Sequence, residues 1–249
     1  MAKVKGIVKI QGTLDELTFY KTQDGNLVKT KGGVSKARIA TDPTFLRTRE
    51  NGAEFGSAAS AGKLLRSAVR TLMMVASDNR VTSRVTKLMT IIKDYDTTSV
   101  RGARNVGVAI SAAAAKAELV GFNFNLAAPL SAVLVSPYTV NTTTGVIGIP
   151  NLTPLNNITY PAGATHVTIT GAWAKINFAG NASVIEFTNA VNLAINATTS
   201  TETLTPTSVP SGTGTSLFML AVEFFQLVNG VQYTLKNGSY NSLSIVQVV

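Results

Sequence analysis

Apolar and polar positions alternate with different periods in three stretches of the chain. From Val4 to Ile10 a β-prone run carries Lys3, Lys5 and Lys9 on one side, the period-two pattern of a half-exposed strand. Gly12-Thr13-Leu14-Asp15-Glu16 reads as a turn. Leu17–Thr22 and Leu27–Thr30 flank Gln23-Asp24-Gly25-Asn26, whose Asp-Gly step is a strong hairpin signal, and Lys31-Gly32-Gly33 ends the second strand. So few large apolar side chains do not make an independent core, so this hairpin must pack on the rest of the chain or on another subunit.

At Asp42-Pro43 the signals change: a capping residue is followed by Pro at a first helical position. Gly52 and Gly56 weaken the next stretch. Between Ala58 and Ser77, Leu65, Val69, Leu72 and Met73 recur at helical spacing, with Lys63, Arg66 and Arg70 as a basic stripe. Asp78 caps a second predicted helix. Val81, Val85, Leu88, Met89 and Ile92 form its apolar face, and Arg80, Arg84 and Lys87 line another side. A third helical stretch spans Arg101 to Leu119 and ends before Gly121.

Beyond Gly121 the runs are short, β-branched and separated by turn residues. Strands are predicted at Ala132–Val135, Gly145–Ile149, His166–Ile169, Val184–Phe187, Leu193–Ile195, Leu217–Leu227 and Ser242–Val249. Asn229-Gly230 and Asn237-Gly238 mark tight turns, and Thr198–Thr215 reads as an exposed loop. The expected fold class is α+β. It comprises a β-hairpin arm (1–41), a basic helical region (42–121) and an antiparallel β-sandwich or jelly-roll-like domain (122–249).

Charge sharpens this division. Residues 1–120 hold 20 of the 22 Lys and Arg and 10 of the 13 acids, a net charge of +10; residues 121–249 carry a net charge of −1. Five charged residues in the last 129 are far fewer than a soluble domain usually carries. That surface is solubilised by Thr, Asn and Ser, or it is covered by neighbours. The chain has no cysteine, which removes disulfides and thiol chemistry. No apolar run is long enough for a membrane span, and no signal-peptide core follows the first lysines, so synthesis in the cytoplasm is expected; the final location of an assembly, cytoplasmic, virion or extracellular, stays open.

Catalytic material is scarce. His166 is the sole histidine, with no carboxylate near it in sequence, and reads as a strand residue rather than a base or ligand. Arg101-Gly102-Ala103-Arg104-Asn105-Val106-Gly107 matches neither phosphate-loop nor dinucleotide patterns. Asp94-Tyr95-Asp96 lacks the continuation of a calcium loop and reads as a solvated helix end. No nucleophile elbow occurs. A non-enzyme is expected, with no cofactor, metal or small-molecule substrate.

The basic trios Lys63/Arg66/Arg70 and Arg80/Arg84/Lys87 each lie on one helical face at three- and four-residue spacing. Such faces attract backbone phosphates without sequence preference, meet an adjacent subunit, or stay solvated beside Glu50, Glu54, Asp78, Asp94 and Asp96. The favoured expectation is a self-assembling structural subunit of a filament, tube or phage-like shell or tail. In it the trios contact copies or polyanions, and Leu17, Phe19, Tyr20 and Val28 form an intersubunit arm. The alternative is a nucleic-acid-binding protein whose β domain oligomerises. A carbohydrate-binding module is a third reading, weakened by a single Trp, Trp173, for sugar stacking.

Several segments resemble an uncharacterised protein family of Bacteroidota bacteria. They are Gly12-Thr13-Leu14-Asp15-Glu16-Leu17-Thr18-Phe19-Tyr20-Lys21, Lys31-Gly32-Gly33-Val34-Ser35, Arg47-Thr48-Arg49-Glu50-Asn51-Gly52-Ala53-Glu54-Phe55-Gly56, Pro161-Ala162-Gly163-Ala164-Thr165-His166 and Leu235-Lys236-Asn237-Gly238-Ser239-Tyr240-Asn241-Ser242-Leu243. The resemblance implies a bacterial source and carries no activity or site residue. The layout of arm, basic helices and uncharged β domain also looks like virion and filament subunits, an analogy of architecture only.

Overall fold

The computed structural model describes residues 2–3, 10–30, 33–235 and 238–249, and for residues 2–3 the backbone only. Most of the run Val4–Ile10, and the pairs Lys31-Gly32 and Lys236-Asn237, lie outside the described residues. The chain is mixed, 29% helix and 35% strand, and its sheets are antiparallel, which places it in the α+β class. It divides into two compact units, Met1–Arg49 and Glu50–Val249.

The first unit holds a four-stranded sheet. Its strands are β1 (Ala2–Lys3), β2 (Gly12–Leu14), β3 (Leu17–Thr22) and β4 (Gly25–Thr30), in the order β1-β4-β3-β2. The expected turn at residues 12–16 is instead a short strand and a tighter turn at Asp15-Glu16. There Asp15 adopts φ 51°, a left-handed conformation that a short polar side chain tolerates. The β3–β4 hairpin closes over Gln23-Asp24, with the Thr22 hydroxyl accepting from Asp24 N at 3.2 Å. Helix α1 (Lys36–Thr41) starts at Ser35, whose hydroxyl accepts from Arg38 N, and Asp42 then caps a 3₁₀ turn at Pro43–Phe45.

Helix α2 (Leu46–Ala68) runs unbroken through Gly52 and Gly56. Val69 leaves helical geometry and separates α2 from α3 (Arg70–Val75), so the single helix expected to Ser77 is two. Helix α4 (Val81–Lys93) crosses α2 closely: a methyl group on Gly62 would lie 3.2 Å from Val85 Cγ1. The third helical stretch is two short helices, α5 (Val106–Ala109), capped by Asn105, and α6 (Ala113–Ala117). The strand expected at Ala132–Val135 is a correction. Residues Leu130–Val133 form helix α7 behind Pro129, and only Leu134 bridges to Ile158.

Two sheets follow. The smaller contains β5 (Thr139–Val140), β6 (Ile147–Leu152) and, after helix α8 (Pro154–Asn157), β9 (Ser200–Leu204), which arises inside the stretch expected to be loop. The larger contains β7 (His166–Asn177), β8 (Ala182–Ala194), β10 (Thr215–Val228), β11 (Val231–Thr234) and β12 (Ser242–Val248). Its order is β11-β10-β7-β8, with β12 also paired to β10. The run at Val184–Phe187 and all but the last residue of Leu193–Ile195 belong to the single long strand β8.

Strand β10 organises the second unit because its first eight residues, Thr215 to Val222, are buried on both faces. Leu217, Met219 and Ala221 share a cluster with Leu65, Val85, Met89 and Ile92 of the helices. Leu220, Val222 and Phe224 point the other way, into a cluster with Ile147, Ile149, Leu152 and Leu204 of the smaller sheet. An antiparallel strand usually alternates apolar and polar; two covers explain its continuous apolar run. Each of the Leu, Ile, Val, Met and Phe side chains in these clusters contributes about 1.5–3 kcal/mol by leaving water. Opposite β10, Ala172 and Ala174 of β7 keep the helix-facing surface low, so the helices sit close to the sheet. The charge step near Gly121 therefore falls between layers that share this core, and Gly121 N donates to Ile245 O at 2.8 Å.

Candidate assembly surfaces

In the first unit no described residue is buried. Its sheet is nevertheless two-faced. Leu14 stands opposite Leu17, and Phe19 opposite Val28, so Leu14, Leu17, Phe19 and Val28 lie on one face. Tyr20 lies on the other, opposite Leu27, with the Lys29 ammonium 5.7 Å from its ring centroid. Three of the four expected arm residues thus share a surface, and Leu14, 63% exposed, extends it.

The six basic candidates do not behave alike. Arg84 is tied into the fold: Nη1 donates to Asn123 O at 2.7 Å, Nη2 to Phe124 O at 2.9 Å and to Asp78, and the guanidinium lies 5.1 Å from the Phe122 ring centroid. It fastens α4 to the segment leading into the sheets. Arg80 is the residue before α4, and its N–H donates to Asp78. Arg66 and Arg70 line a shallow depression of about 440 Å³ together with Ser67, Met73, Met74 and Ser77. Lys63 is exposed on α2, and Lys87 borders a different groove. Lys63, Arg66, Arg70 and Lys87 make no ion pair or hydrogen bond among the described residues.

Of the acids expected beside these trios, Asp78 pairs with Arg84, whereas Glu50, Glu54 and Asp94 serve cations outside the trios. Glu54, 3% exposed, accepts from Arg104 Nε and Nη2 at 2.8 Å, from Gly102 N at 2.8 Å, and pairs with Lys93 at 2.9 Å. The Arg104 bonds foremost, then Lys93 and Gly102, outweigh burial and hold its carboxyl down to about 2. Glu50 pairs with Arg101 at 3.2 Å. Asp96 is not a solvated helix end. It is 2% exposed and accepts from Thr98 N, Ser99 N and Asn105 N, organising the loop between α4 and α5. Burial alone would raise its pKa; the bonds from Ser99, Asn105 and Thr98 win and lower it. This network is architecture, joining α2, α4 and the loop before α5.

His166 pairs in register with Phe225 and Ala194, and its Nδ1 lies 3.0 Å from Thr165 Oγ1. Among the described residues no three His, Cys, Asp or Glu gather as a metal site, and no helix is long and apolar enough to cross a membrane.

Two surfaces escape sequence reading. The end of β10 and β11 form a ribbon on which Val228, Val231 and Tyr233 share one exposed face. A second is a groove of about 640 Å³ lined by Phe55, Thr82, Ser83, Thr86, Lys87, Thr90 and Ile91, between α2 and α4. The one signal in the sequence was the pair Gly52 and Gly56 flanking Phe55 in a helix. No protein-family model, curated protein or solved structure matches this chain.

Proposed function

We propose that this chain is a structural subunit that assembles with copies of itself into a filament, tube or shell. The supporting observation is the first unit: it buries no described residue, yet presents Leu14, Leu17, Phe19 and Val28 on one sheet face. Four short strands with no buried side chain are marginal alone, and covering that face in an assembly supplies the missing burial. The charge-poor second half, read as a β-sandwich from the cluster its two sheets share, adds the exposed ribbon at Val228, Val231 and Tyr233. Negative-stain microscopy of the purified chain is the test. Regular particles support the proposal, and a monodisperse monomer at every concentration and salt contradicts it.

A second reading, nucleic-acid binding, is favoured by one observation: Lys63, Arg66, Arg70 and Lys87 lack acidic partners among the described residues. Phosphates would satisfy them, with affinity falling steeply as salt rises. Titration with duplex DNA at low salt decides it, since absence of binding there rules it out.

A further inference from the structure

We propose that the groove between α2 and α4 receives the Leu14–Leu17 turn of a second copy of the chain. This rests on the assembly reading and names its receptor. The groove has apolar rims: Phe55 on α2 is 57% exposed, and Ile91 on α4 is exposed as well. Thr82, Ser83, Thr86 and Thr90 complete its lining, and its one charge is Lys87, which makes no ion pair among the described residues.

Phe55 has open space on both sides along α2. Gly52 and Gly56 precede and follow it within α2, and a methyl group on either would meet nothing within 4 Å. Glycine in a helix interior costs about 1 kcal/mol against alanine. Gly62, by contrast, is needed for the contact with Val85. Nothing within the second unit uses the space at Gly52 and Gly56, whereas an approaching backbone would.

The turn matches in apolar character and in charge. Leu14 and Leu17 are paired neighbours and both exposed, and between them Asp15 and Glu16 project from a turn held by the left-handed Asp15. Neither acid makes an ion pair or hydrogen bond among the described residues. Seating the leucines against Phe55 and Ile91 brings two unpaired carboxylates to the unpaired Lys87. Charge of this kind fixes register, while the apolar contact supplies most of the stabilisation. Turn and groove are different patches of one chain, so the contact runs head to tail. It propagates into a ring or open filament unless two copies exchange turns reciprocally.

The chain has no cysteine, so introduced ones are unique reporters. Leu14→Cys and Ser83→Cys, both at exposed positions, are purified as single variants, mixed and oxidised. The expected result is a disulfide-linked dimer of one variant with the other, in excess over either variant with itself. That product is lost when Phe55→Glu is added to the Ser83→Cys chain. Statistical crosslinking unaffected by Phe55→Glu overturns the inference. So does a crosslink that forms only within one chain when the double-cysteine variant is diluted. Regular particles without the mixed dimer sink the groove assignment alone; absence of particles sinks the assembly reading as well.

Discussion

Glu54 connects three parts of the second unit through one carboxylate, accepting from Lys93 of α4 and from Gly102 and Arg104 of the following loop. Removing one partner from a buried ion network leaves the others uncompensated, at a cost of about 3–5 kcal/mol. Glu54→Gln should lower unfolding stability by about that amount in urea. Asp15→Asn, at an exposed turn, should leave it within about 0.5 kcal/mol. The pH dependence has a definite sign. The Glu54 carboxyl is held below its ordinary 4.5, at about 2, so the unfolded chain binds the proton more readily. Its stabilisation is present above pH 4.5 and lost as pH falls toward 2. Asp96 and Asp78, also lowered, act in the same direction. Thermal melting should therefore fall steeply with pH in this window, and the Glu54→Gln slope should be shallower. Gly145 is a different case. Its φ is +75°, and a Cβ there would overlap the Trp173 ring and lie 2.8 Å from Pro206 Cγ. Gly145→Ala should cost about 2–4 kcal/mol, from backbone strain and overpacking together, with a changed emission from the single tryptophan.

Among the elements, α4 bears most on packing and on the proposed assembly. One side enters the core through Val85, Leu88, Met89 and Ile92; the other edges the groove at Lys87 and Ile91. Arg84 ties it to residues 123–124 through two carbonyls and Asp78. Charged hydrogen bonds of this kind contribute about 1.5–3 kcal/mol each. Arg84→Ala should speed hydrogen exchange at residues 121–126 and leave α2 protected. A protection pattern unchanged at 121–126 would show that Arg84 fastens nothing. Much of this level was legible in sequence. The 3.6-residue repeat of Val81, Val85, Leu88 and Ile92 gave α4, and the apolar run from Leu217 gave β10. What sequence periodicity missed depends on distant partners. Residues 200–204 look like loop until β6 pairs with them, and Pro129 rather than β-branching decided residues 130–133. Arg84 resembles its neighbours in the basic stripe; only carbonyls some 40 residues away distinguish it. The groove at Phe55 needs two helices to exist, so one strand of sequence could not draw it.

For the molecule as a whole, the two units contrast in how they bury side chains. Glu50–Val249 has cores on both faces of its central strand, whereas the described part of Met1–Arg49 has none. In the assembly proposed above, copies of the same chain cover this apolar face and meet its acidic turn. That makes the first unit the sensitive one. Leu17→Ser, Phe19→Ser and Val28→Thr together would leave the second unit folded, because its clusters contain none of these residues. Sedimentation velocity of the full chain against this triple variant, across a range of concentrations at fixed salt, is the most direct test. The wild-type chain should grow into large, concentration-dependent species while the variant stays monomeric and folded. A wild-type chain that sediments as a single monomer throughout would contradict self-assembly.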